Sequence, residues 1–449
     1  MPKKTKSTYN KGQMLLSILI SLAIFSILAH ALFTLVATTF SLITYNKSRI
    51  TAKHIALEKM EIIRNLPYEK VATIGGIPNG TLIPQTETIN RNGLNYTIKT
   101  AIIFIDDPFD GLAPEDLAPE DYKRVRIEVS WEGLSASGKN PIILLSDISR
   151  ESKGNQSGGT LVILVYDANG NPVPQAQVKI VAESISPPVN LTQTTDSKGK
   201  LILPGALECI ECYQITVNKS GMSTDKTYSS EEVANPLKPH ATVLENQVTQ
   251  ISFTIDKVGS INISSRNSRE NNFEALGNVS FILKGGKIIG TDETGKPVYK
   301  YDKSLSTDSN GNLNLSNMEW DVYQISMPES TSYDISGTSP LLPIYLSPGS
   351  QVDFTFSVDS HTENGFFITV KDPSQNLIAS ASAKLSKIGE FEEIKDTGTS
   401  ENPDFGQVFF SNLSKETYNL VVSASGYQNY NSSYDISGYT KAEIVLTPQ

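Results

Sequence analysis

Polar and apolar positions divide the chain into three regimes. Between Lys11 and Lys47 no residue carries a charge, counting His30 as neutral. That run exceeds the ~20 residues needed to cross a bilayer. From Lys47 the stretch KSRITAKHIALEKMEIIRN (47–65) is rich in Ala, Glu, Lys and Ile, and no Gly or Pro occurs before Pro67. Ile55, Ile62 and Leu66 recur at spacings of seven and four, which puts them on one helical face. Pro67 is a natural stop. The pattern predicts one helix from about residue 14 to residue 65, roughly 75–80 Å long. Its first half suits lipid or a filament core, and its second half packs on a globular head.

Beyond Pro67 the period falls to two. In YKRVRIEVSWEG (122–133), Val125, Ile127, Val129 and Trp131 alternate with Arg124, Arg126, Glu128 and Ser130, as in a half-buried strand. GLNYTIKTAIIFID (93–106) reads as a second strand.

From Gly158 onward, three segments repeat an order of features at intervals of roughly a hundred residues. Each opens with a strand: TLVILVYD (160–167), SINISSRN (260–267) or FFITVKD (366–372). A turn and second strand follow, within NGNPVPQAQVKIV (169–181), EALGNVSFIL (274–283) and SQNLIASASAKL (374–385). Next come TTDSKGKLIL (194–203), STDSNGNLNL (306–315) and NPDFGQVFF (402–410), where Asp closes an Asx-type turn and Gly accepts positive φ. Tyr213, Tyr323 and Tyr418 then share a slot two residues before Ile215, Ile325 and Leu420. Such a tyrosine is expected in a sandwich core, its hydroxyl tied to nearby backbone; a ligand-binding ladder is the alternative. Each copy closes with VTQISFTI (248–255), SQVDFTFSV (350–358) or KAEIVLTP (441–448).

The expected fold class is α+β. A basic leader (1–12) precedes the helix (13–66, transmembrane segment about 14–43) and a small mixed head (67–150). Three all-β sandwich modules follow in tandem, at 158–256, 257–359 and 364–449. The copy at 257–359 is degenerate, with insertions around GGKIIGTDETGKPVYKYDK (285–303).

Composition narrows the function classes. The 30 Gly and 23 Pro among 449 residues fit many short strands joined by turns. Net charge is −10, and loss of the four leader lysines would take it to −14. A nucleic-acid partner is not expected, because that needs a basic face. Two cysteines exclude a disulfide scaffold. Lys3, Lys4, Lys6 and Lys11 precede the apolar run and predict a cytoplasmic N-terminus. A removable signal peptide would be cut after Ala29-His30-Ala31, but Leu32, Phe33, Leu35 and Val36 continue the apolar run. A permanent single-pass anchor gives no reason for the long soluble continuation to residue 65.

Lys11-Gly12 followed at once by Leu15, Leu16, Ile18, Leu19 and Ile20, then AIFSILA (23–29), resembles the type IV pilin and pseudopilin family. The resemblance implies that a prepilin peptidase cuts between Gly12 and Gln13 and that the new amine of Gln13 is methylated. The family often carries Phe or Met there, so Gln13 departs from it. Ser17 departs further, since the family's Glu at this position pairs with the amine of a neighbouring subunit. A carboxylate in hydrocarbon costs about 2.5–3.5 kcal/mol on insertion scales, so it persists only where it has a role. Ser17 removes both the cost and the pairing. It fits a subunit that assembles poorly or not at all, or a tip subunit with no subunit above it.

The pattern D-x-x-G-x-P-V, then T-D-x-x-G, then Y-x-[IV]-x-V resembles carboxypeptidase regulatory-like modules, transthyretin-like β-sandwiches. It is clearest from Asp167 to Gly221. Despite the name, the resemblance implies no peptidase but a stalk or interaction domain.

Few residues carry chemistry. Four histidines are scattered through the chain, and no H-E-x-x-H, G-x-S-x-G or P-loop pattern occurs. No enzyme and no cofactor are expected. DDPFDGLAPEDLAPEDYK (106–123) holds seven carboxylates, including Asp106, Asp107, Asp110, Asp116 and Asp121. Calcium takes several oxygen ligands from flexible loops, but nothing matches the regular 12-residue loop. A solvated acidic loop built from an APED duplication is the alternative. Cys209-Ile210-Glu211-Cys212 leads into a predicted strand, where a small loop-closing disulfide, free thiols and a metal or redox pair remain open.

The expected protein is a minor or tip pilin-like subunit of a type IV pilus or type II secretion-like filament. Its partners would be the membrane, a prepilin peptidase, other pilin-like subunits and a surface, glycan or protein ligand. It would sit in the bacterial cytoplasmic membrane with its modules outside. The alternatives are a single-pass surface protein that never assembles, and a secreted carbohydrate-active accessory protein.

Overall fold

In the computed structural model, residues 11–107, 121–132, 141–150 and 158–449 are described, with helix side chains from Ile18 onward. One helix, α1 (Lys11–Arg64), spans 54 residues, about 80 Å. It ends where Pro67 withholds a backbone N–H.

The lower half of α1 packs on a four-stranded antiparallel sheet of order β1–β2–β3–β4, with β1 at Thr86–Arg91, β2 at Leu94–Ile105, β3 at Tyr122–Trp131 and β4 at Ile142–Ser149. Val125, Ile127, Val129 and Trp131 are buried, as the alternation predicted. The helix buries Ala52, Ile55, Ala56, Met60 and Ile63 against them. The expected face containing Ile62 is therefore corrected: Ile62 is 52% exposed and Ile63 takes the core position. Ala52 and Ala56 are fully buried on this face, so the stripe is set by small residues as much as by large ones.

Each of the three following units has two facing sheets around its own core. In the first, the sheet of Cys209–Asn218, Gln177–Ala182 and Val189–Thr194 faces the sheet of Val248–Thr254, Gly159–Tyr166 and Lys200–Ala206. Leu161, Ile163, Val178, Ile180, Ile215 and Phe253 fill the space between. In the second, Gly259–Asn267, Asn312–Met318, Gln351–Ser360 and Tyr333–Ser339 face Ser280–Gly285, Asp302–Ser306, Asp321–Ser326 and Ile344–Leu346. In the third, Gly365–Lys371, Gln407–Phe410 and Tyr439–Val445 face Ser382–Lys387, Phe391–Asp396, Thr417–Ser423 and Tyr430–Asp435.

Local chemistry explains the repeated motifs. The Asp196 carboxylate accepts the N–H groups of Lys198 and Lys200, both at 2.8 Å, and Asp308 accepts those of Asn310 and Asn312. The glycine closing the first of these turns, Gly199, has φ +69°, and a Cβ there would lie 2.5 Å from the Val165 carbonyl oxygen. The slot tyrosines are core residues. Tyr213 donates to the Leu207 carbonyl and Tyr323 to that of Glu319, both at 2.7 Å, while the Tyr418 hydroxyl accepts the Ser414 N–H at 3.0 Å. Burial pushes the Tyr213 and Tyr323 hydroxyls well above their usual range.

In all three units the first and last strands are neighbours and run parallel. The chain therefore enters at one end of a unit and leaves at the other.

Candidate functional site

The apolar half of α1 is the first candidate. Between Ile18 and Ile43 its large side chains, among them Phe25, Ile27, Leu32, Phe33 and Phe40, are exposed. The helix is long and apolar enough to cross a membrane. Several of its hydroxyls bond within the helix: Ser26 donates to the Leu22 carbonyl at 2.8 Å, Thr34 to Ala31 at 2.9 Å and Thr39 to Leu35 at 2.8 Å. Such back-bonding hides polar atoms that hydrocarbon would penalise. Gly12, Gln13 and Ser17 lie within the helical span, and their side chains fall outside the described residues.

Where the charges begin, α1 is clamped to the head. Lys59 pairs with Glu87 at 2.8 Å, and Arg91 with Glu58 at 3.3 Å. Tyr45 and Tyr96 both lean on Trp131, with ring centroids 5.9 and 6.3 Å away.

The second candidate is the set of joints between units, which the sequence reading missed. Head and first unit share an amide lock. Asn79 Nδ2 donates to the Pro187 carbonyl, and Gln85 Nε2 to that of Asn190, both at 2.8 Å. Ile77, from the head, is buried in the first unit's core.

First and second units are splinted by the sequence insertion. Its strands Ile288–Thr291 and Pro297–Tyr299 form a hairpin that pairs with Asn235–Pro236 of the first unit. Lys300 donates from Nζ to the Thr224 carbonyl at 2.7 Å and pairs with Glu319, which also holds Lys287. Burial pushes the Lys287 ammonium down, and Glu319 opposes that shift.

At the third joint, Gln407 imitates a strand partner. Its Oε1 accepts the Thr338 N–H at 3.0 Å and its Nε2 donates to the Thr338 carbonyl at 2.8 Å. Gln407 and Thr338 are both buried. Arg269 donates from Nε to buried Asp404 at 2.9 Å and from its terminal nitrogen to the Asp396 carbonyl. Burial pushes the Asp404 carboxyl up, while Arg269 pulls it back. A Cβ on Gly337 would lie 2.6 Å from that of Asp404, so only glycine admits this approach. Beside the joint opens a cleft of about 640 Å³ lined by Leu342, Tyr345, Phe367, Tyr439, Lys441 and Glu443.

Of the acidic loop, Asp110 and Asp116 lie outside the described residues; Asp121 accepts the Asp107 N–H at 2.6 Å. Among the described residues no group of three or more His, Cys, Asp or Glu is placed to hold a metal ion. Cys209 and Cys212 form a disulfide, their Cα atoms 5.9 Å apart, at the start of the strand Cys209–Asn218.

No family model matches the chain, and no curated protein matches it. Among solved structures, the Bacillus anthracis TIE protein is 13% identical over 82% of this chain and 74% of its own, with a TM-score of 0.19. A streptococcal ancillary pilin is 13% identical over 65% of this chain and 99% of its own, at 0.18. The Streptococcus agalactiae minor pilin GBS52 is 14% identical over 45% and 96%, at 0.23. Scores this low carry no argument about fold or role. The chain's own features define its class: one exposed apolar helix, a head built on its lower half, and three two-sheet units in file.

Proposed function

We propose that the chain is a non-enzymatic, pilin-like minor or tip subunit of a type IV pilus or type II secretion-like filament. The observation carrying this reading is the unbroken 54-residue helix, whose outer half is exposed and apolar while its inner half is the core of the head. A plain anchor needs only the outer half. Prepilin peptidase would remove residues 1–12 and leave Gln13 as a methylated terminus. The helix would then exchange bilayer for filament, and the transthyretin-like units would project outward to meet a surface, glycan or protein.

Ser17 favours a second reading, a single-pass surface protein that stays in the membrane, because no carboxylate is available there to pair with a neighbour's amine. Intact mass of the exported protein separates the two. Loss of residues 1–12 with one added methyl group supports the subunit. An unchanged N-terminus and location in cells lacking prepilin peptidase would overturn it in favour of the anchor.

A further inference from the structure

We propose that each of the three two-sheet units is a shear-loaded tension element, so that residues 158–449 carry pulling force from the C-terminal end to the head. The inference rests on strand order, core packing and the short connections within residues 158–449, and holds whether α1 sits in a filament or stays in a bilayer.

In the first unit Thr160–Tyr166 lies in register beside Val248–Thr254, in the second Ser260–Asn267 beside Gln351–Val358, and in the third Gly365–Lys371 beside Tyr439–Val445, all parallel. Tension on the chain draws these two strands in opposite directions along their shared axis. The hydrogen bonds of a parallel pair are evenly spaced and slanted between the strands, so sliding one strand along the other loads the whole ladder at once. In a hairpin pulled from its open end, the bonds would break one at a time.

Sliding meets a second resistance. The paired strands carry core side chains: Leu161, Ile163, Val165 and Phe253 in the first unit, Ile261, Ile263, Phe354 and Phe356 in the second, and Phe366, Ile368, Val370 and Ile444 in the third. Moving either strand by one residue turns its buried face outward.

The connections leave no slack. Four residues separate Thr254 from Gly259, and four separate Ser360 from Gly365. Force leaving the last strand of one unit therefore enters the first strand of the next almost directly. The disulfide spans a sequence separation of only three and shields no length of chain from extension.

The test is single-molecule pulling on the full chain in detergent micelles. With handles at both termini, three cooperative ruptures are expected from the units, apart from that of the head, each of the three releasing roughly 250–320 Å at ~3.5 Å per residue. A second geometry uses a Ser374→Cys handle, on an exposed loop just after Gly365–Lys371, with the C-terminal handle retained. That pair pulls the two terminal strands of the third unit apart from one end. Rupture of this unit should then need clearly less force than in the first geometry, since the ladder bonds fail in sequence. Equal forces in the two geometries would overturn the proposal, as would gradual extension without discrete ruptures in the first.

Discussion

Replacing Gln407 with alanine tests how the last two units are held together. The side chain satisfies two backbone groups of Thr338, the N–H at 3.0 Å and the carbonyl at 2.8 Å, at a site where both residues are buried. Alanine leaves both groups without a partner, and each unsatisfied buried polar group costs about 1–3 kcal/mol. Water entering the vacated space recovers part of that, so the joint should weaken by about 2–4 kcal/mol. Unfolding of a chain with several units is not two-state, so a local readout is needed. Hydrogen exchange followed by mass spectrometry on a peptide covering 333–340 supplies it. Opening of the joint should become about 30- to 1,000-fold more frequent at the Thr338 amide, while peptides from 160–166 keep their protection. Unchanged exchange at Thr338 would mean that Gln407 fills space without holding the joint.

The remaining predictions concern other links. Arg269→Ala leaves buried Asp404 unpaired and, discounted for the part-exposed arginine, should cost the joint about 1–3 kcal/mol at pH 7. Because burial raises the Asp404 carboxyl above its unfolded value, stability in this variant should be full below the unfolded value and fall as pH rises through the folded one. A joint equally protected at pH 4 and pH 7 would refute that sign. Tyr213→Phe removes a 2.7 Å bond to the Leu207 carbonyl and should cost about 0.5–1.5 kcal/mol, seen as a lower midpoint for the first unit's thermal transition. Gly199→Ala forces a side chain into a left-handed turn against the Val165 carbonyl, and should lower the same midpoint further than Tyr213→Phe does. Ser17→Glu should increase incorporation into filaments; no change would count against the pairing argument.

Much of this architecture is legible in the sequence because it rests on local rules. The absence of Gly and Pro over residues 47–65 extends the helix, period-two alternation marks the strand Tyr122–Trp131, and Asp–Gly spacing marks the turns at Asp196 and Asp308. The helix face is hard to read because alanines look neutral in a hydrophobicity pattern, yet Ala52 and Ala56 are fully buried in it. The Asp of the third copy departs from its local pattern for a different reason. Asp404 occupies the position of a turn-closing residue, but its carboxylate leaves the turn for Arg269, which is 135 residues away in sequence. Nothing in a local pattern encodes a contact over that distance. The same holds for Gln407 with Thr338 and for the insertion at 285–303, which reads as decay of a repeat but serves as a splint.

That splint bears on whether the units can be exchanged. Three copies of one motif invite the idea of beads to be shuffled, duplicated or dropped. The hairpin Ile288–Thr291 and Pro297–Tyr299 belongs to the second unit, yet its outer partner, Asn235–Pro236, belongs to the first. The third unit has a different joint, built on Gln407 and Asp404. Removing the second unit at its apparent boundaries would leave Asn235–Pro236 a bare edge beside Leu237, already 72% exposed. It would also bring the first unit against a joint shaped for Thr338 and Arg269. The order of the three is thus written into their surfaces, and a shortened version of this chain would have to redesign its seams rather than simply lose a bead.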